Sequence, residues 1–84
     1  MMPDKLCLQF AVSGEKITIL EKDDFVLIEG TKESLMFLSK LIAAQSKAND
    51  VGFHLSPFGA GCQLFSKKST KGIYIHRIKK HRKE

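Results

Sequence analysis

The sequence predicts a single α+β domain, a mostly antiparallel sheet with one long helix packed on one face in the order βββαβββ. Three observations lead there. Apolar residues alternate with period two over residues 6–12 and 73–78. Residues 35–42 instead repeat at three-to-four spacing, the period of a helix. The chain has only 84 residues, too few to divide an interior between two cores. The domain is expected to occupy residues 1–78, with residues 79–84 as a basic C-terminal tail.

In the first expected strand, Leu6, Leu8, Phe10 and Val12 share one side and Cys7, Gln9 and Ala11 the other. Ser13-Gly14-Glu15 turns the chain into Lys16-Ile17-Thr18-Ile19-Leu20, rich enough in branched residues for a second strand. After the polar turn Glu21-Lys22-Asp23-Asp24, the run Phe25-Val26-Leu27-Ile28-Glu29 reads as a third strand. Its near-continuous apolar character predicts a central position covered on both faces.

Thr31 is a good N-cap, because its hydroxyl can accept from backbone N–H groups of the first helical turn, and Glu33 there suits the helix dipole. The helix should run from Lys32 to about Ala48, with Leu35, Leu38, Leu41, Ile42 and Gln45 along its stripe and Asn49-Asp50 as its stop. Beyond it, Val51 to Leu55 is a short strand and residues 56–61 are a loop punctuated by Pro57 and two glycines. Cys62 to Phe65 is a fifth strand, residues 66–72 a turn, and Ile73 to Ile78 the last strand. One helix cannot cover both faces of six strands. Either the sheet curls, or Leu20, Tyr74 and Ile78 enter a protein contact, and a homodimer formed by an edge strand across a two-fold axis is one such contact.

Composition places the chain among folded domains, since 43% hydrophobic with 27% charged residues is too apolar for a disordered segment. No apolar run approaches the roughly 20 residues that span a bilayer, so no membrane role is expected. The start, MMPDKLCLQFAV, lacks the basic segment, apolar stretch and cleavage site of a signal peptide, which points to the cytoplasm. Cys7 and Cys62 are expected as free thiols in that reducing compartment. Neither has a second Cys or a His at metal-ligand spacing, so neither a metal nor another cofactor is expected.

Charge is divided unevenly. Residues 1–66 hold six Lys and eight Asp or Glu, net −2, whereas residues 67–84 hold eight Lys or Arg against one Glu, net +7. The basic end is either a solvated terminus or a contact for phosphates or an acidic partner.

No Ser-His-Asp, Cys-His or paired-carboxylate arrangement is legible from spacing, and so short a chain offers little wall for a desolvated cleft; the expectation is a protein that is not an enzyme. His54 and His76 each lie on the strand face opposite their apolar neighbours. The plain reading is solvent-facing side chains. If their strands pair, however, both imidazoles share a surface with Tyr74 and make a polar recognition patch. Pro57-Phe58-Gly59-Ala60-Gly61 has neither G-x-G-x-x-G nor the Lys-Ser/Thr of a P-loop, so it reads as a structural loop. Phe58 at its tip is either tucked against the sheet edge or exposed as an interface anchor. A nucleic-acid surface would draw on Tyr74, Arg77, Lys79, Lys80, Arg82 and Lys83, with Tyr74 the only aromatic among them and hence no sequence readout.

The segment from Ile28 to Leu41 (IEGTKESLMFLSKL), followed by Phe53-His54-Leu55-Ser56-Pro57-Phe58, resembles a family of small α+β bacterial proteins that includes predicted immunity proteins of contact-dependent or polymorphic toxin systems. The resemblance covers roughly residues 24–78, through an I-x-G turn into a leucine-bearing helix and a strand holding the His of H-L-x-P. It implies a non-catalytic, stoichiometric binding module that occludes the active site of a partner toxin. His54, Ser56, Pro57 and Phe58 are the surface residues it carries over, and His76 and Arg77 join them from the expected strand pairing. The Lys/Arg-rich tail from Lys79 departs from the family pattern. A protein partner is therefore the first expectation, and nucleic acid bound through the last strand and tail is the second.

Overall fold

The computed structural model describes residues 3–48 and 52–78 of the chain. Along these run helix α1 (Pro3–Ser13), strands β1 (Ile17–Lys22) and β2 (Phe25–Gly30), helix α2 (Lys32–Lys47), strand β3 (Gly52–Leu55), a 3₁₀ turn (Cys62–Leu64) and strand β4 (Ile73–His76). The fold is α+β in one unit. In place of one sheet there are two antiparallel hairpins, β1 with β2 and β3 with β4, and in place of one helix there are two.

The first correction to the order βββαβββ is α1. Leu6, Leu8, Phe10 and Val12 alternate as a strand would, but the structure buries Leu6 and Phe10 and half-buries Cys7 and Ala11, a helical i, i+1, i+4, i+5 stripe contained in the same residues. Leu8 and Val12 face solvent. Starting the helix at Pro3 costs no hydrogen bond, because the first N–H groups of a helix have no internal partner.

β1 and β2 pair in register from Ile17 with Gly30 to Lys22 with Phe25, closed by the two-residue turn Asp23-Asp24. Asp23 takes a left-handed φ of 56°, a conformation its short polar side chain tolerates. β1 is the interior strand: Ile17, Thr18 and Ile19 are all buried. β2 is an edge strand with most of its side chains exposed, so its apolar run does not mark a central position.

The second edge of β1 is taken by residues 65–71, where the sequence predicts the end of a strand and then a turn. Phe65 makes one parallel bridge with Ile17, after the 3₁₀ turn that replaces the expected strand over Cys62 to Phe65. The N–H of Ser66 then donates to the Ile17 carbonyl at 2.8 Å and that of Thr70 to the Ile19 carbonyl at 2.9 Å. The Ser69 hydroxyl stands in for backbone, accepting from the Ile19 N–H at 3.1 Å and donating to the Ile17 carbonyl at 3.2 Å. A short serine-rich segment thus completes the strand without being one.

α2 begins as expected. The Thr31 hydroxyl accepts from the Ser34 N–H at 3.1 Å, and Ser34 is fully buried. The inward stripe is Ser34, Leu38, Leu41 and Gln45, whereas Leu35 and Ile42, two of the apolar residues expected on it, face solvent. The expected stop at Asn49-Asp50 lies outside the described residues.

Phe10 and Phe37 stack between the helices with centroids 5.0 Å apart. The core unites them with Ile17 and Ile19 of β1, Leu38 and Leu41 of α2, and Leu55, Leu64 and Phe65. Phe53, Ile73 and Ile75 close it from the β3–β4 side.

Candidate functional site

β3 and β4 pair Gly52 with His76, Phe53 with Ile75, His54 with Tyr74 and Leu55 with Ile73. Period-two geometry then sorts the residues. Phe53, Leu55, Ile73 and Ile75 turn toward the core, and His54, Tyr74 and His76 turn outward together. The strand pairing that the patch required is present, and the three ring side chains share one exposed face.

On that face, the His54 and Tyr74 rings stack as a direct cross-strand pair, with centroids 5.8 Å apart and planes 14° from parallel. His76 meets Tyr74 edge to face at 6.3 Å. Tyr74 remains 69% exposed, so the row is a surface and not a satellite core. Gly52 makes the arrangement possible: a Cβ there would stand 2.8 Å from the Tyr74 hydroxyl oxygen and 3.3 Å from its ring carbons. The glycine, which the sequence reading did not single out, leaves the floor on which the tyrosine lies.

The remaining expected site residues divide in two. Phe58 sits at the loop tip with 80% of its surface exposed and is not tucked against the sheet edge. Ser56 is a turn builder: its hydroxyl accepts from the Phe58 N–H at 3.1 Å, while its N–H donates to the Ala60 carbonyl at 2.8 Å. Pro57 is half-buried in the same turn. The ribbon therefore carries Phe58 past its Leu55–Ile73 end, and the chain leaves by its Gly52–His76 end.

Two of the described cations are engaged away from the ring face. The Arg77 guanidinium donates to the Ser46 carbonyl at 3.1 Å, tying the end of β4 to α2. Lys71 pairs with Glu21 at 2.9 Å beside β1. The Lys71 ammonium, by hydrogen bond first and by charge second, holds the Glu21 carboxyl below its ordinary pKa. Lys79, Lys80, Arg82 and Lys83 lie outside the described residues.

Elsewhere, an open cleft of about 330 Å³ between α1 and α2 is lined by Leu6, Gln9, Lys40, Ala43, Ala44 and Lys47. The lining combines apolar side chains with two lysines and an amide, with no nucleophile and base side by side among these residues. Among the described residues no group of three or more His, Cys, Asp or Glu is placed to hold a metal ion, and no helix is long and apolar enough to cross a membrane. Set against family models, curated proteins and solved structures, the chain matches none of them.

Proposed function

We propose that this protein is a non-catalytic binding module that recognises a protein partner through the outward face of the β3–β4 hairpin. The observation that carries the reading is the exposed row His54–Tyr74–His76, three ring side chains held in contact by strand pairing and by the space above Gly52. Rings fixed in this way bury large area on contact at little further cost in side-chain entropy, which is why tyrosine is enriched where proteins meet. Phe58, beyond one end of the row, adds an apolar anchor. The specific version is neutralisation of a toxin by occlusion of its active site, which the resemblance over residues 24–78 supports.

The alternative is single-stranded nucleic acid stacked on the same rings and held by the basic end of the chain. The stacked His54–Tyr74 pair favours it. The placement of Lys71 on Glu21 and of Arg77 on the Ser46 carbonyl favours the protein partner, because neither cation is presented beside the rings.

The test uses the full chain as bait, in its natural form and as Tyr74→Ala and Leu8→Ala. A protein retained by the natural chain and by Leu8→Ala, and lost with Tyr74→Ala, is the expected result. Retention that ignores Tyr74 would refute the assigned face. Salt-sensitive binding of single-stranded RNA, abolished by ending the chain at Ile78, would transfer the function to the alternative.

A further inference from the structure

We propose that β2 is a dimerisation strand: it pairs antiparallel with β2 of a second copy across a two-fold axis, joining the two hairpins into one four-stranded sheet. This surface is separate from the ring face on β3–β4, and its test is independent of that assignment.

β1 has both edges occupied, one by β2 and the other by residues 65–71, whereas among the described residues β2 has β1 as its only strand neighbour. With a two-residue turn between Lys22 and Phe25, the pairs Lys22–Phe25, Leu20–Leu27 and Thr18–Glu29 are those that exchange backbone hydrogen bonds. The peptide groups of Val26 and Ile28 consequently point outward, a ladder that no described residue pairs with and that another strand can extend. The devices that blunt such an edge are absent from Phe25 to Ile28, where there is no charge, no proline and no bulge. Phe25 and Val26 remain 74% and 61% exposed and Ile28 45%, on both faces of the ribbon. Beside them is an open recess of about 580 Å³ lined by Lys22, Asp23 and residues 25–28.

A second copy fits this edge because the strand is complementary to itself. An axis through Leu27 sets Leu27 against Leu27, Val26 against Ile28 and Phe25 against Glu29. The one charged side chain of β2 then avoids its own copy. Because Lys22 is the hairpin partner of Phe25, Glu29 of each copy faces the ammonium of the other across that ring. Moving the axis to Ile28 would place Glu29 over Leu27, whose hairpin partner is Leu20, and the facing ammonium would be lost. Pairing over Phe25 to Glu29, five residues of each strand, covers on the order of 1,000 Å² in total, the size at which a specific interface begins.

Light scattering on the full chain, from low to high micromolar concentration, should show a mass rising from 9.4 kDa toward twice that value. Over the same range, amide hydrogen exchange at Val26 and Ile28 should slow, while Leu27, already paired within the hairpin, should change little. Val26→Lys puts an ammonium against the partner's Ile28 and should remain monomeric with an unchanged circular dichroism spectrum. Adding Ile28→Glu sets that Lys opposite a Glu of the partner and should restore association. If Val26→Lys unfolds, the amide measurement on the natural chain decides. A natural chain that stays monomeric at high micromolar concentration overturns the proposal, as does a dimer in which Val26 and Ile28 exchange at the monomer's rate. Folded Val26→Lys that still dimerises overturns it too.

Discussion

Both hairpins pair antiparallel, but they meet solvent differently. β3–β4 divides its faces evenly, with Phe53, Leu55, Ile73 and Ile75 inward and His54, Tyr74 and His76 outward. β1–β2 divides by strand: three consecutive residues of β1 are buried, while β2 is largely exposed on both sides. Along a strand, alternation reports one wet face. A continuous apolar run reports only that water is unwelcome, and which element covers it is settled by the neighbours its edges acquire. β1 acquired residues 65–71 and became interior, whereas β2 was left at the margin.

The sharpest way to break this contrast is to truncate both strands. Ile19 is 1% exposed, and Ile19→Ala removes packed methyl groups and leaves a cavity, which should cost about 3 kcal/mol. In dilute, monomeric protein Phe25→Ala should change stability by no more than about 0.5 kcal/mol. Urea unfolding of the two variants checks the pair, and equal losses would mean that β2 is covered in the monomer. Ser69→Ala tests what makes β1 interior. It strands the Ile19 N–H in a buried place and should cost about 1–3 kcal/mol. Ser66→Ala, which removes a hydroxyl only partly withdrawn from water, should cost less.

How far the fold was legible follows from the same contrast. α2 was legible to within a residue at its start, because Thr31 caps it and its period is unambiguous. The two strands flanking Asp23-Asp24 were also legible, although the expected turn, Glu21 to Asp24, took in two residues that pair in β1. α1 was not, since Leu6 and Phe10 satisfy period two and period four alike, and only packing against Phe37 and the 3₁₀ turn selects the helix. The partnership between residues 65–71 and β1 was invisible for another reason. It links residues about fifty positions apart through serine hydroxyls, and small polar residues ordinarily signal a turn. Of the candidate site, the shared face of His54, Tyr74 and His76 could be foreseen from alternation once pairing was assumed. Ser56 could not be sorted from Phe58, because the part each plays depends on how the loop closes on itself.

On the β3–β4 side, smaller effects sharpen the comparison. Tyr74→Ala deletes a cross-strand ring pair at an exposed site and should cost roughly 0.2–1 kcal/mol, well below Ile19→Ala. Gly52→Ala should lower stability little but displace the ring, since the new methyl would sit 2.8 Å from the Tyr74 hydroxyl oxygen. Nuclear Overhauser contacts between the Tyr74 and His54 rings should weaken in that variant. If they persist at full strength, the glycine is not what positions the tyrosine.

The smallest effect concerns the clasp between β1 and residues 65–71. Lys71 lowers the pKa of Glu21 in the folded protein relative to the unfolded chain, where that neighbour is not held in place. The folded state therefore binds a proton less readily, and the pair contributes its full stability at pH values above the ordinary carboxylate pKa. That contribution declines as the pH falls through the ordinary value and toward the lowered one, and it is gone once Glu21 is protonated in both states. Both side chains are more than half exposed, so salt should screen it as well. Glu21→Gln should accordingly unfold at slightly lower urea than the natural chain at neutral pH and low salt, and at the same urea concentration in acid or in high salt. A difference that persists unchanged into acid would show that Glu21 acts through packing of its methylene stem along β1 and not through the charge of Lys71.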